Sequence, residues 1–288
     1  MSPRPAPRRT PAPKGRPPRG TGRPSGAGPN VGTRRAPNRD KEGLGGEQVE
    51  GRHAVLELLK ARRREVRKVF VADQQDPSEI LDAIELEAQR QRVPLQIISM
   101  ARLDREARTE GHQGVMAIAA RLETVGLETL MENKRPFLLV CDGVTDPRNL
   151  GAMLRSADGA GVTGVVVPRH RAARISPSVT KTAAGAIEYL TFCDVGGIPA
   201  AIEQLNKAGV LTVGLAGEAK DSIYELDLGS GPVALIVGGE EKGLSALTRK
   251  RCGAVVSIPQ LGKISSLNAG VAVSVAAFEV ARQRALHH

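Results

Sequence analysis

Asn149 and Arg155 lie in the segment whose residue types are best suited to chemistry. The apolar run 137–141 predicts a buried strand, and the Asp-Gly and Asp-Pro pairs that follow it predict a loop. We expect Asn149 to cap the next helix and Arg155 to lie two turns into that helix. Both side chains would then stand near the carboxyl end of a strand, where open α/β sheets bind their ligands.

Two later segments also place small and polar residues after a predicted strand. The apolar run 233–237 leads into a Gly-Gly-Glu turn that begins at Gly238. The run 254–258 leads into a polar loop that ends at Asn268, just before an alanine- and valine-rich helix. Because glycine lets a ligand approach the backbone closely, such turns are suited to binding through backbone groups.

Together these segments resemble the three signature motifs of the SpoU family, the knotted 2′-O-ribose methyltransferases of RNA. The first motif covers residues 139–155, the second 235–245 and the third 257–268. One such motif alone is a weak signal, but three in the right order over about half of the chain are specific. The nearest likeness is to the bacterial 23S rRNA guanosine-2′-O-methyltransferases.

The segment 49–120 resembles the small substrate-binding domain that precedes the catalytic domain in many members. The likeness rests on Glu-Gly-Arg-His-Ala-Val at 50–55 and on His-Gln-Gly-Val at 112–115. Helical and strand signals alternate in this segment, which predicts a compact α/β module. The resemblance implies that this module is L30e-like and binds the RNA substrate.

The resemblance implies a cofactor, S-adenosylmethionine, and assigns roles to eight residues. Backbone groups of three residues would hold the cofactor, namely Gly238, Ile258 and Leu267. Polar side chains from all three motifs would line the reaction site, namely Asn149, Arg155, Glu240, Ser266 and Asn268. Taken singly, such residues also fit a role as helix cap, helix-start carboxylate or core residue. Their joint occurrence in three matched motifs favours the functional interpretation.

Arg155 has two alternative roles. In the family, the arginine of the first motif is often assigned as the base that deprotonates the 2′-hydroxyl. A guanidinium group keeps its proton at neutral pH and is therefore a poor base. Physical chemistry favours a different role, in which the arginine fixes the target phosphate and stabilises the developing alkoxide. Both roles stay open at the level of the sequence.

The third motif departs from the family at one position. Members commonly carry a second serine shortly after Ser-Leu-Asn, whereas Asn268 is followed here by Ala269 and Gly270. Glycine early in a helix is about 1 kcal/mol less favourable than alanine. We therefore expect close backbone packing at Gly270, against the cofactor or a partner subunit.

Strands and helices alternate strictly from residue 136 onward, which predicts a mostly parallel sheet covered on both faces. The resemblance adds a trefoil knot at the carboxyl end of this α/β domain and a homodimer whose active site lies at the subunit interface. The apolar run 271–281 fits either that interface or the intramolecular core. We divide the chain into a basic tail (1–45), an RNA substrate-binding domain (46–122), a linker (123–135) and the methyltransferase domain (136–288).

The positive charge is concentrated at the amino terminus. The formal net charge is +10, and residues 1–42 contribute eleven Lys and Arg against two Asp and Glu, or +9. The same residues include ten of the nineteen prolines and almost no aliphatic side chains, which predicts disorder. This tail is either an arm that contacts RNA phosphates or a solubilising segment without a specific role.

Several classes of protein are disfavoured by composition. The three cysteines are far apart and give neither a disulfide framework nor a zinc pattern, and no run of about 18 apolar residues is present. We expect a cytoplasmic protein without a metal.

The sequence Gly-Ala-Gly-Val-Thr-Gly at 159–164 has the dinucleotide-binding spacing, but it follows a predicted helix and opens a strand. It is therefore interpreted as a helix end and turn.

The function that the resemblance implies is S-adenosylmethionine-dependent 2′-O-methylation of a guanosine in 23S rRNA. Three alternatives stay open: methylation of a tRNA guanosine, methylation of an rRNA adenosine in antibiotic resistance, and non-catalytic RNA binding in ribosome assembly. The accessory domain argues against the tRNA enzyme. The presence of Asn149, Arg155 and Glu240 argues against the non-catalytic protein.

Overall fold

The computed structural model describes residues 44–170, 173–240, 242–264 and 266–286. The tail predicted to be disordered lies outside the described residues up to position 43. Its last two positions are described, and the carbonyl of Leu44 accepts a hydrogen bond of 3.0 Å from the backbone N–H of Ile175.

The N-terminal α/β unit is built on a four-stranded mixed sheet. Its elements are β1 (Gln48–Glu50), α1 (Arg52–Ala61), β2 (Val66–Ala72), α2 (Glu79–Arg90), β3 (Leu95–Ile98), α3 (Met100–Glu106) and β4 (Val115–Ala119). The strand order is β1-β4-β2-β3, with β4 antiparallel to both neighbours and β3 parallel to β2. Buried side chains of α1 and α2, such as Leu58 and Ile84, pack against buried strand residues such as Val69. The predicted α/β module is confirmed.

The C-terminal α/β unit contains a seven-stranded sheet in which every neighbouring pair is parallel. The strand order is β7-β6-β5-β10-β8-β11-β9. The strands are β5 (Phe137–Asp142), β6 (Gly164–Pro168), β7 (Phe192–Val195), β8 (Leu211–Leu215), β9 (Asp221–Ser222), β10 (Val233–Gly238) and β11 (Ala254–Ser257). The helices are α4 (Leu127–Leu130), α5 (Pro147–Gly159), α6 (Pro177–Thr182), α7 (Ile198–Lys207), α8 (Ala246–Arg251) and α9 (Ala269–Leu286).

Both faces of the large sheet are buried, as the apolar runs predict for parallel strands. Along β5, Phe137 and Leu139 join one core with helices α5, α6 and α9. The alternating residues Leu138 and Val140 join a second core with α4 and α7 on the opposite face. The predicted mostly parallel, doubly covered sheet is therefore confirmed. The segment 123–135 contains α4, and two of its leucines are buried in the second core.

The register of the large sheet brings the three motifs to one edge. Strands β5 and β10 pair in parallel, and Gly238 at the end of β10 lies opposite Asp142 at the end of β5. Strand β8 lies between β10 and β11 and runs parallel to both. The segments that follow β5, β10 and β11 therefore all leave the sheet at its carboxyl edge.

The prediction that Asn149 caps α5 is wrong. The cap is Asp146, whose carboxylate accepts a hydrogen bond of 2.8 Å from the backbone N–H of Arg148. Pro147 occupies the first helical position, where its fixed φ angle is favourable and its missing N–H is not needed. Asn149 therefore lies within the first turn of the helix, and its side chain does not cap the helix.

Helix α9 packs against α5. The hydroxyls of Ser156 and Ser274 are 2.7 Å apart, and a Cβ atom at Gly270 would lie 3.4 Å from the Cβ of Ala152. Gly270 therefore packs against α5 of the same chain, and its contact with the cofactor or a partner subunit stays a prediction. No helix in the described ranges is both long and apolar enough to cross a membrane.

Candidate active site

A cavity of about 860 Å³ opens at the carboxyl edge of the large sheet. Its walls come from the segments that follow β8, β10 and β11 and from the start of α9. The predicted site residues among its lining are Gly238, Glu240, Ile258, Ser266, Leu267 and Asn268. The volume is typical of small-molecule and cofactor sites.

Gly238 lies in one wall of this cavity, and the loop after β10 folds back over Gly238. A Cβ atom at this position would overlap the carbonyl group of Gly243 and the backbone nitrogen of Leu244. The fold-back is held by a 2.8 Å hydrogen bond from the N–H of Gly243 to the carbonyl of Gly239. The absence of a side chain at Gly238 is therefore a steric requirement of the loop.

Asp142 ties the second-motif loop to the first-motif strand. Its carboxylate accepts a hydrogen bond of 3.1 Å from the backbone N–H of Ser245, and its carbonyl accepts one of 3.1 Å from Gly239. Asp142 was not among the residues predicted to form the site. The sequence signal for Asp142 was its position at the end of a motif strand. Its hydrogen-bond partner could not be predicted, because Ser245 lies 103 residues away along the chain.

Three polar side chains, one from each motif, meet beside the cavity. One carboxylate oxygen of Glu240 accepts hydrogen bonds from the side-chain amides of both Asn149 and Asn268. The Asn268 bond is 2.9 Å long, and the same amide lies 3.0 Å from the side-chain oxygen of Asn149. These three residues, hereafter the Asn-Glu-Asn cluster, are separated by as much as 119 residues in sequence.

Asn268 also caps α9. Its side-chain oxygen accepts hydrogen bonds from the backbone N–H groups of Gly270 and Val271, at 2.9 and 3.3 Å. The side chain is thereby fixed at both ends, with its oxygen on the helix and its amide on Glu240. The packing of α9 against α5 consequently sets the position of the cluster.

Ser266, Leu267 and Ile258 lie where the third-motif loop borders the cavity. Leu267 is 37% exposed, whereas Ile258 is partly buried against the core. Both apolar side chains therefore contribute to the cavity lining.

Arg155 lies apart from the other predicted site residues. It is exposed on α5 and does not line the cavity, and no described residue forms a hydrogen bond or ion pair with its side chain. It follows Asn149 by six residues, which corresponds to about 9 Å along the helix and about 120° around it. Within one chain, α5 directs the two side chains to different faces.

The segment after β8 supplies cavity residues that were not predicted from the sequence, among them Gly217 and Glu218. Glu218 pairs with Arg249 of α8. A hydrogen bond from its own backbone N–H and the contact with Arg249 lower the pKa of the Glu218 carboxyl. The only sequence signal for these cavity residues was their position after a parallel strand, because no recognisable motif follows β8. No group of three or more potential metal ligands is present in the described part of the chain.

Known proteins resemble this chain over nearly all of the described part. Residues 136–278 match the SpoU rRNA Methylase family, and residues 48–125 match the family RNA 2′-O ribose methyltransferase substrate binding. The 23S rRNA (guanosine-2′-O-)-methyltransferase RlmB of Pectobacterium atrosepticum is 40% identical, covering 83% of this chain and 98% of that protein. Its namesake from Pseudomonas aeruginosa is 41% identical, covering 83% and 97%.

A solved structure shows the same architecture. The SpoU methyltransferase AviRb from Streptomyces viridochromogenes, in complex with AdoMet, has a TM-score of 0.68 and 25% identity. The match covers 83% of this chain and 90% of AviRb. The three motifs, their meeting at one sheet edge and these similarities lead to one conclusion: the chain belongs to the SpoU rRNA methylase family.

Proposed function

We propose that this protein transfers a methyl group from S-adenosylmethionine to the ribose 2′-oxygen of a guanosine in 23S rRNA. The observation that carries the proposal is the Asn-Glu-Asn cluster beside a cofactor-sized cavity, in a chain about 40% identical to enzymes of that name. We place the enzyme in the cytoplasm, together with its rRNA substrate.

The cavity fits the methyl donor. Its apolar lining, including Val237, Ile258 and Leu267, suits an adenosine moiety, while the Gly238 turn brings backbone groups to the cavity wall. When bound, S-adenosylmethionine supplies an electrophilic methyl group on a sulfonium. The residues of the chain therefore need to orient donor and acceptor, assist loss of the hydroxyl proton and exclude water.

The Asn-Glu-Asn cluster provides an oriented acceptor. Two amides hold one oxygen of the Glu240 carboxylate, and no described residue forms a hydrogen bond with the other oxygen. That second oxygen is available to a hydroxyl or N–H group of the RNA. Asn149 lies on α5 and Asn268 caps α9, and because these two helices pack against each other the carboxylate is oriented before substrate binds.

We propose that the protein is a homodimer and that Arg155 serves the active site of the partner subunit. The surface of α9 that faces away from its own core carries Val271 and Phe278, which are 48% and 52% exposed. Among the first ten residues of α9 only Ser274 has a polar side chain, and a helix segment that is apolar on nearly all sides is normally covered on all sides. Phe278 lies against Gly159, which shares a face of α5 with Arg155, so a second copy covering Phe278 would also approach Arg155.

We also propose the trefoil knot and the L30e-like fold that the resemblance implies. Support for the knot comes from the path of the last segment. After β11, the chain contacts the second and first motifs through Asn268. It then continues as α9, which packs against α5. Helix α5 follows β5, and strands β10 and β8 lie between β5 and β11 in the sheet. Support for the L30e-like fold is the four-stranded mixed sheet of the N-terminal unit, packed against α1 and α2.

We expect cofactor binding to be independent of metal ions. The proposed contacts are backbone groups and apolar side chains, and the described residues contain no group of potential metal ligands. Titration calorimetry with S-adenosylmethionine should give the same dissociation constant with and without EDTA. Loss of S-adenosylmethionine binding in the presence of EDTA would show that a metal ion contributes to the cofactor site.

We expect Lys181 to contact RNA at the junction of the two units. This lysine lies on α6, and its ammonium group covers the backbone of Gly111, beside the His-Gln-Gly-Val segment. No carboxylate pairs with it among the described residues, so its charge is available to a phosphate. Lys181→Ala should weaken RNA binding and reduce the slope of log affinity against log salt by about 1.

The matched control for Lys181 is Lys207→Ala, which removes an exposed lysine from the end of α7. Its salt slope should equal that of the unmodified protein. Equal slopes for both variants would place the RNA on another surface.

Methyl transfer by the purified protein tests the proposed function. Unmodified 23S rRNA, 16S rRNA and total tRNA would each be incubated with labelled S-adenosylmethionine and digested to nucleosides. The proposal predicts 2′-O-methylguanosine from 23S rRNA alone. Label in 2′-O-methyladenosine or in tRNA would support one of the alternative substrates, and no label at all would support a non-catalytic RNA-binding protein.

A further inference from the structure

Arg64, which follows α1, reaches from the N-terminal unit into the C-terminal unit. Its guanidinium group donates to both carboxylate oxygens of Glu188, at 2.8 and 2.5 Å. The two side chains are only 6% and 1% exposed. Glu188 belongs to a short 3₁₀ helix, Ala186–Glu188, between α6 and β7. This is a bidentate ion pair buried between two structural units.

The same guanidinium group holds both chain segments that connect the units. Its third nitrogen donates to the carbonyls of Gly46 and Ala120, each at 2.7 Å. Gly46 precedes β1, where the chain enters the N-terminal unit, and Ala120 follows β4, where it leaves. Arg64 thus joins the entry, the exit and the neighbouring unit at one point.

Further contacts surround this ion pair. The Arg63 guanidinium donates to the carbonyls of Glu188 and Leu190, at 3.4 and 3.3 Å. The Tyr189 hydroxyl donates to Glu57 of α1 at 2.6 Å. Burial and the hydrogen bond to Glu57 raise the pKa of Tyr189 to about 12, so the phenol keeps its proton at neutral pH. The segment 185–191 is consequently a docking element for α1 and the loop that follows it.

A buried ion pair contributes little net stability, because desolvation of the two charges offsets their attraction. Its best attested contribution is to fix one arrangement among several, since any other arrangement leaves a buried charge without a partner. Units of one chain otherwise move relative to each other unless their interface is large and apolar. The ion pair therefore indicates a fixed orientation.

We propose that Arg64 and Glu188 are positioning residues, which lock the substrate-binding domain on the methyltransferase domain so that the two bind RNA as one rigid surface. The inference rests on the proposed function. RNA held by the first domain then presents its target ribose at a fixed distance from the cavity of the second. Binding is tighter because no interdomain motion is lost, and guanosines at other distances from the docking site are rejected.

Three variants test whether the Arg64–Glu188 ion pair fixes the orientation of the two domains. Glu188→Gln removes the charge of one partner, and the double variant Arg64→Met with Glu188→Leu removes both without leaving a buried charge. Arg64→Lys keeps the charge but loses the bidentate geometry. The control is Arg90→Ala, which removes the arginine of an exposed ion pair in the same domain. Each variant would be assayed with full-length 23S rRNA under steady-state conditions.

We expect the double variant to bind S-adenosylmethionine normally and to keep kcat within about twofold, while KM for rRNA rises at least about tenfold. Glu188→Gln should behave similarly, Arg64→Lys should lie between the double variant and the unmodified protein, and Arg90→Ala should leave KM unchanged. An unchanged KM in a double variant with normal cofactor affinity would overturn the proposal.

Small-angle X-ray scattering separates this proposal from the proposed function. The double variant should show a larger radius of gyration and a broader distance distribution than the unmodified protein, whether or not rRNA is the substrate. Identical scattering curves would overturn the lock even if the enzyme is active. Failure of the unmodified protein to methylate 23S rRNA would overturn the proposed function alone.

Discussion

Replacing Gly238 with alanine is expected to weaken S-adenosylmethionine binding by at least about a hundredfold, which corresponds to about 2.7 kcal/mol. The new methyl group would occupy the space of the Gly243 carbonyl and the Leu244 nitrogen. Both are backbone atoms, so the overlap is relieved only by moving the loop that forms the cavity wall. Titration calorimetry measures the effect directly.

The control for this substitution is Gly196→Ala. Gly196 follows β7, and a Cβ atom there would meet nothing within 4 Å. It should bind the cofactor with unchanged affinity. A folded Gly238→Ala protein with normal affinity would remove the loop after β10 from the cofactor site.

Arg155→Ala is expected to reduce the single-turnover rate of methyl transfer by about 10³-fold, as for loss of a group that stabilises developing charge. Cofactor affinity should stay unchanged, since Arg155 does not line the cavity. Arg155→Lys should keep an intermediate rate if the charge is what matters, although lysine cannot form a bidentate phosphate contact. Single-turnover rates at saturating cofactor separate chemistry from binding.

Mixed dimers show whether Arg155 acts across the subunit interface. Subunits with Arg155→Ala would be combined with subunits carrying Glu240→Ala. If the arginine serves the partner, one of the two sites in a mixed dimer contains both native side chains, and activity returns. If Arg155 acts within its own chain, every site lacks one residue and the mixture stays inactive. Normal turnover by Arg155→Ala alone would exclude the residue from catalysis.

The fold was largely predictable because its strands are apolar runs bounded by turn residues. The strands Phe137–Asp142, Val233–Gly238 and Ala254–Ser257 match the predicted runs 137–141, 233–237 and 254–258 to within one residue at either end. Short elements such as β9 and α8 were not predicted, because two to six residues carry too little periodic signal. Their existence depends on packing against neighbours that are distant in sequence.

The composition of the site was predictable, but its geometry was not. The motifs named Glu240 and Asn268, yet their shared hydrogen bond with Asn149 depends on how α9 packs against α5. The cap of α5 was assigned wrongly because both Asp146 and Asn149 are good capping residues, and the proline between them decides in favour of Asp146. Arg64 and Glu188 are 124 residues apart and belong to no motif, so no local pattern links them.

We expect this chain to methylate one guanosine ribose in 23S rRNA. Mapping 2′-O-methylation across 23S rRNA tests it most directly, in cells that lack the gene and in the same cells supplied with the native or the Arg155→Ala protein. One 2′-O-methylguanosine should be absent without the gene, return with the native protein and stay absent with the variant. An unchanged set of 2′-O-methylguanosines in 23S rRNA from cells without the gene would contradict it.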